Sequence, residues 1–229
     1  MTIDFPGATS TLALAIDNAG RILGIFSSPT DSSYFIANGS NFITLPALAG
    51  LEVDDFNDSG RVVGTSGDEH GTAGFVMDID GGNFDFIFAP DNQSTRASGI
   101  NNAGQIVGTF LDILNKDDNL ICCFTRGFVN VGGTFGTFIP LDHPDAIPTV
   151  DVFPGTEAFK ISDSGLIVGH FYDQEHKLHG FLATLTVPEP ASLMLLGVGL
   201  WGLSRMRRHR LCRQVKKLRG CGYTGGKAT

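Results

Sequence analysis

The residues with the clearest capacity for chemistry are the oxygen-bearing side chains of "DIDGGNFD", where Asp78, Asp80, Asn83 and Asp85 surround Gly81-Gly82. Carboxylate and amide oxygens spaced in this way suit a hard cation such as Ca²⁺, although the twelve-residue loop and closing Glu of an EF-hand are absent. Asp, Asn and Gly are also the ordinary turn formers, so the stretch reads first as a strand connection and second as a calcium candidate. "NKDDN" at 115–119 has the same standing. His170, His176 and His179 in "HFYDQEHKLHG" have intervals found in zinc sites. On neighbouring strands they need not converge, and exposed imidazoles without a ligand are common. "GTSGDEHG" brings Ser66, Asp68, Glu69 and His70 together in sequence. Catalytic triads, however, are assembled from distant segments, and no G-x-S-x-G elbow is present. The expectation is a protein without a catalytic constellation and without a cofactor.

The elements that would position such residues are set by a repeat. "IDNAGRILG" (16–24), "FNDSGRVVG" (56–64), "INNAGQIVG" (100–108) and "ISDSGLIVG" (161–169) align without gaps, with central glycines Gly20, Gly60, Gly104 and Gly165 at intervals of 40, 44 and 61. Each reads as a β-hairpin: a strand ending in Ile or Phe, a turn closed by Gly at positive φ, and an aliphatic second strand. No helix follows, which removes a phosphate-cradling glycine loop. A third strand recurs as "YFI", "GFV", "GFV" and "GFL", beginning at 34, 74, 127 and 180. The third repeat carries an insertion of about nine residues within "LDILNKDDNLICC", by comparison of its period with the others. A fourth strand comes next as "NFITL", "NFDFIF" and "TFGTFI", and the last repeat lacks it. Residues 2–16 resemble 86–100, so the strand Thr2 to Phe5 would complete the last unit.

Four strands per unit of this length is the size of a propeller blade. The expected fold is all-β, a four-bladed β-propeller over residues 1–186 closed by its N-terminal strand. The eighteen Phe are expected in the core, with Ile106, Phe128 and Phe135 packing between sheets.

Charge divides the chain. Residues 1–190 hold all 24 Asp and Glu against seven Lys and Arg, a net −17, whereas 205–229 hold nine cations and no acid, a net +9. The acidic body argues against nucleic acid as a partner. Between the two lies an uncharged stretch, Ala191 to Ser204, about 21 Å as a helix against a hydrocarbon core of about 30 Å. Arg205 can snorkel and a short helix is accommodated by local thinning. A single transmembrane helix is therefore expected at 191–206, with Arg205, Arg207, Arg208 and Arg210 as the positive-inside topology signal and a disordered basic tail at 211–229. Cys122 and Cys123 are adjacent, and Cys212 and Cys221 lie in the basic tail, so no disulfide framework is expected. "MTIDFPGATS" has neither the basic nor the apolar region of a secretory signal peptide.

"VPEP" at 187–190, the apolar "ASLMLLGVGLWGL" and the cluster "RMRRHR" together resemble a PEP-CTERM sorting signal, residues 187–210. The repeats resemble extracellular HAF-type repeats, with their Asn-Asn-x-Gly-x-Ile-Val-Gly core and a following "HGF". The first resemblance implies export across the inner membrane of a Gram-negative bacterium and transient insertion there. It also implies processing by an exosortase near Pro188, Glu189 and Pro190, with the mature form at the cell surface. The 19 residues after Arg210 depart from the family pattern. The function expected is a non-enzymatic surface or matrix protein that binds exopolysaccharide. The alternative is a secreted glycan-active enzyme using acidic residues on one face of the propeller.

Overall fold

The computed structural model describes residues 2–68, 71–90, 94–116, 119–132, 136–146 and 155–185. The chain divides into two units, Met1–Leu185 and Thr186–Thr229, and every described residue lies in the first. That unit is all-β and consists of four antiparallel sheets, each a meander of consecutive strands. Sheet I is β1 (Ser10–Ile16), β2 (Ile22–Ser27), β3 (Ser32–Asn38) and β4 (Asn41–Thr44). Sheet II is β5 (Glu52–Phe56), β6 (Arg61–Asp68), β7 (Gly71–Asp78) and β8 (Asp85–Ile87). Sheet III is β9 (Thr95–Ile100), β10 (Ile106–Lys116), β11 (Asn119–Val131) and β12 (Thr137–Leu141), and sheet IV is β13 (Thr156–Ile161), β14 (Leu166–Tyr172) and β15 (Leu178–Thr184). The insertion of the third repeat adds no element. It lengthens the β10–β11 hairpin, whose pairing runs out to Lys116 and Asn119.

The repeated motif folds the same way in all four sheets. Gly20, Gly60, Gly104 and Gly165 have φ of 77°, 79°, 74° and 79°, the left-handed conformation that the hairpin turn demands. The motif's last glycine has a different reason. Gly24, Gly64, Gly108 and Gly169 stand directly opposite Phe35, Phe75, Phe128 and Phe181 on the next strand. A Cβ on Gly108 would lie 1.9 Å from the Arg96 carbonyl oxygen and 2.9 Å from the Phe128 ring, and one on Gly64 1.8 Å from the Glu52 carbonyl oxygen. The missing side chain leaves room for the ring on one side and for the first strand on the other.

That close approach coincides with a β-bulge in the first strand of every sheet, which places one unpaired residue there: Leu14, Asp54, Ser98 and Phe159. Bulges bend a strand and re-aim its side chains.

Three interfaces hold the sheets together, each built from equivalent residues. Leu23 and Ile36 of sheet I pack on Val53, Phe56, Val62 and Phe75 of sheet II. Val63 and Val76 of sheet II pack on Ala97, Ile100, Ile106 and Phe128 of sheet III. Val107 and Val129 of sheet III pack on Ala158, Ile161 and Ile167 of sheet IV. Each sheet thus has a trailing face that meets the leading face of the next. A fully buried aliphatic or Phe side chain contributes about 1.5–3 kcal/mol before entropy. Ile106 and Phe128 are buried as expected; Phe135 lies outside the described residues.

The closing strand is a correction. Thr2 to Phe5 form no strand, and among the described residues sheet IV has three strands, not four. Phe5 instead stacks on Phe26 at 3.8 Å between ring centroids and lies 5.5 Å from both Phe35 and Phe42. The reason is burial. In sheets II and III the phenylalanine equivalent to Phe35 is covered by the preceding sheet's trailing pair, and in sheet I Phe5 takes that place. Among the described residues, no helix is long and apolar enough to cross a membrane. The expected helix at 191–206 and the tail at 211–229 lie outside the described residues.

Candidate functional site

The four hairpin turns converge. The first residue of each turn secures its own loop: Asp17 Oδ1, Asn57 Oδ1, Asn101 Oδ1 and Ser162 Oγ accept from the N–H of Arg21, Arg61, Gln105 and Leu166 at 2.8, 3.0, 2.9 and 3.0 Å. The second residue links one turn to the next. The Asn18 N–H donates to Asp58 Oδ1 (2.9 Å), the Asp58 N–H to Asn102 Oδ1 (2.9 Å) and the Asn102 N–H to Asp163 Oδ1 (2.8 Å).

The same four side chains also form a closed circuit. Asn18 Nδ2 donates to Asp58 Oδ2 (2.9 Å) and Asp163 Oδ2 (3.2 Å), and Asn102 Nδ2 donates to Asp58 Oδ2 (2.6 Å) and Asp163 Oδ2 (2.9 Å). An amide offers two N–H donors and an ionised carboxylate none, so the alternation of Asn and Asp keeps each carboxylate between two donors and away from its like. Both carboxylates are held below the usual range. The Asn18 backbone N–H leads for Asp58, followed by the Asn18 and Asn102 side chains. For Asp163 the Asn102 backbone N–H leads, partly opposed by the charge of Asp58.

The turns roof a cavity of about 730 Å³ lined by all four sheets, among them Asp55, Phe56, Ile100 and Lys160. Asp55 is buried, and burial pushes its carboxyl up while Lys160 draws it back down. Lys160 Nζ lies 3.1 Å from Asp55 Oδ1 and 3.0 Å from the Asp54 carbonyl oxygen, and the Ile100 N–H donates to Asp55 Oδ2 at 3.2 Å. Lys160 also lines a second cavity, of about 360 Å³, with Asp54, Arg96, Glu157 and the bulge residue Phe159. There Arg96 Nη2 pairs with Asp54 Oδ1 at 2.7 Å. The two cavities put carboxylates, cations, amides and the rings of Phe56 and Phe159 along the inner strands and turns, a set whose polar members can hydrogen-bond a hydroxyl-rich ligand.

The sequence-derived candidates lie elsewhere. Asp78 ends β7, Asp80 and Asn83 occupy the β7–β8 connection, and Asp85 opens β8. Asp78 Oδ2 accepts from Asn83 Nδ2, Asp78 Oδ1 lies 3.6 Å from Arg61 Nε, and Asp80 Oδ1 accepts from the Gly82 N–H at 3.1 Å. His170 stands on β14 with Nε2 3.6 Å from Glu157 Oε2. His179 on β15 bonds Asp173 at 2.7 Å, while His176 sits in the turn between these strands at φ 59°. Among the described residues, no group of three or more His, Cys, Asp or Glu could share a metal ion. Ser66 and Asp68 are on β6, and Glu69 and His70 lie outside the described residues, as do Pro188, Glu189, Pro190 and the arginine cluster.

In the sequence the ring residues read as turn formers only. The signal that marks them is the alternation "NAG", "DSG", "NAG", "DSG" at 18–20, 58–60, 102–104 and 163–165. Asp55 and Lys160 carry no such signal, because the bulge that brings them together is invisible to the strand period.

Residues 186–208 match the family model described as the PEP-CTERM protein-sorting motif. No curated protein matches the chain.

Proposed function

We propose that residues 1–186 act as a non-enzymatic surface or matrix protein that binds exopolysaccharide, because the chain carries a PEP-CTERM protein-sorting motif, which implies export, membrane anchoring before cleavage and processing by exosortase. The four sheets stand as blades of a propeller around the turn ring. The sorting match carries this reading. The circuit joining Asn18, Asp58, Asn102 and Asp163 supports the radial arrangement, and the polar inner-strand cavities support a hydroxylated ligand. Cleavage falls near Pro188-Glu189-Pro190, and Arg205, Arg207, Arg208 and Arg210 hold the C-terminal end on the cytoplasmic side. An epitope tag placed before Pro188 tests the proposal. A shortened tagged product at the cell surface is expected in a host with exosortase, and a longer membrane-bound precursor in one without. A full-length soluble cytoplasmic product would sink it.

One observation favours a second reading. Asp55, pushed up by burial and lining the larger cavity, is a candidate acid in a glycan-active enzyme. Release of reducing sugar from exopolysaccharide that disappears in Asp55→Asn would establish that alternative.

A further inference from the structure

Among the described residues, nothing covers the trailing face of sheet IV. Position for position, Leu23, Val63 and Val107 on the trailing faces of the first three sheets are each 0% exposed, whereas Val168 is 45% exposed. Ile36, Val76 and Val129 are 8%, 0% and 2% exposed, whereas Leu182 is 66% exposed. Leu166 and Leu178 are exposed on the same sheet. Register puts all of these on one face, for Val168 stands opposite Leu182 and Tyr172 opposite Leu178, with Leu166 two residues from Val168. Among the described residues, the outer strand β15 also lacks the partner that β3, β7 and β11 have in β4, β8 and β12.

The leading face of sheet I does not cover it. The turn ring brings Asn18 and Asp163 together, but Phe5 and Ala8 already lie on the apolar cluster of sheet I. Ile16 is 66% exposed, against 3%, 4% and 7% for its equivalents Phe56, Ile100 and Ile161. Phe5 occupies the part of the leading face of sheet I formed by Phe26, Phe35 and Phe42, so neither the same molecule nor a second copy can seat Val168 and Leu182 there. The free apolar face of this kind that a second copy presents is the same one.

We propose that two copies of this chain associate through the trailing faces of their sheets IV, about a two-fold axis, with Val168 and Leu182 at the centre. Such an isologous contact needs only one self-complementary patch. Three strands spaced about 4.8 Å apart and seven residues rising about 3.3 Å each give a face of about 14 by 23 Å. Two such faces amount to about 640 Å² in flat projection, below the standard size of a specific interface, so the association is a weak one that the dilution series must reach. By register His170, opposite Gly180, and Lys160, opposite Val168, share this face; Lys160 turns its Nζ to Asp55, and the apolar part of the face is its β14–β15 side, with Leu166, Val168, Leu178 and Leu182.

The test uses the full-length protein in mild detergent, with mass read by light scattering across a dilution series. Wild type is expected as a dimer, and V168K/L182K as a monomer or at least tenfold weaker in association. I43K, which charges an exposed residue of sheet I, should leave the dimer intact. A monomeric wild type overturns the proposal, whether the face is then covered by the chain's own N-terminal segment or left bare. So does a dimer that V168K/L182K leaves unchanged, since association would then run through another surface. Should the lysine variant fold poorly, L182C gives an independent reading, in a background where Cys122, Cys123, Cys212 and Cys221 are changed to Ser, against that same background as the reference. A disulfide-linked dimer absent from the reference is expected under oxidation, and its absence overturns the contact.

Discussion

Sheet III and sheet IV are built from the same motif and end differently. In sheet III the trailing pair Val107 and Val129 disappears beneath the next sheet, and β12 finishes the meander. In sheet IV the equivalent pair, Val168 and Leu182, remains exposed and β15 is an edge. An equivalent local sequence therefore does not specify an equivalent environment. The presence or absence of a further sheet downstream decides whether a given Val is core or surface, and each sheet is stabilised mainly by its neighbour.

The sharpest way to break the comparison is at the glycine that all four sheets share. Gly108→Val is expected to destabilise the domain by about 4 kcal/mol or to prevent folding, because its side chain would overlap backbone and the Phe128 ring alike. Chemical denaturation reads the effect. Next in size is the contrast of faces. Leu23→Ala should lose about 3 kcal/mol and Leu182→Ala in the unassociated chain less than about 0.5 kcal/mol. Equal losses would mean that sheet IV is covered within the molecule. Phe5→Ala should lose about 2 kcal/mol by removing the ring stacked on Phe26. A negligible loss would show that the N-terminal segment does not cap sheet I.

Smaller effects are expected at the ring. Asn102→Asp sets three carboxylates side by side and should lower the melting temperature. The fourfold exchange N18D/D58N/N102D/D163N restores alternation and should recover most of it. A merely turn-forming role would give no such recovery. The acid limb of the stability curve is smaller again. Asp58 and Asp163 are held below the ordinary carboxylate value, so they support the fold above about pH 4 and cease to do so as pH falls through their folded-state values. D58N/D163N should flatten that limb, as followed by circular dichroism.

Much of this fold is legible in the sequence. Turn glycines, third-strand phenylalanines and the fourth strands of three sheets follow from a period of about 40 to 45 residues. The β10–β11 extension follows from the lengthened third period. Other features require three dimensions. Thr2 to Phe5 match a fourth strand in pattern, yet the uncovered rings of Phe26, Phe35 and Phe42 offer Phe5 a larger burial than an edge pairing would. The bulges that expose Asp54 and Phe159 toward the inner cavities change register by one residue within strands of ordinary composition. The acidic loop at 78–85 is the most conspicuous chemical candidate in the sequence, and its oxygens serve neighbouring donors within the turn.

The alternation of amide and acid around the turn ring has a consequence for how such a chain can change length. Gaining or losing one repeat would place two like residues next to each other, either two carboxylates or two amides. Gaining or losing two would keep every neighbour unlike. The unit that preserves the alternation is therefore a pair of repeats, one "NAG" and one "DSG", and the present ring holds two such pairs.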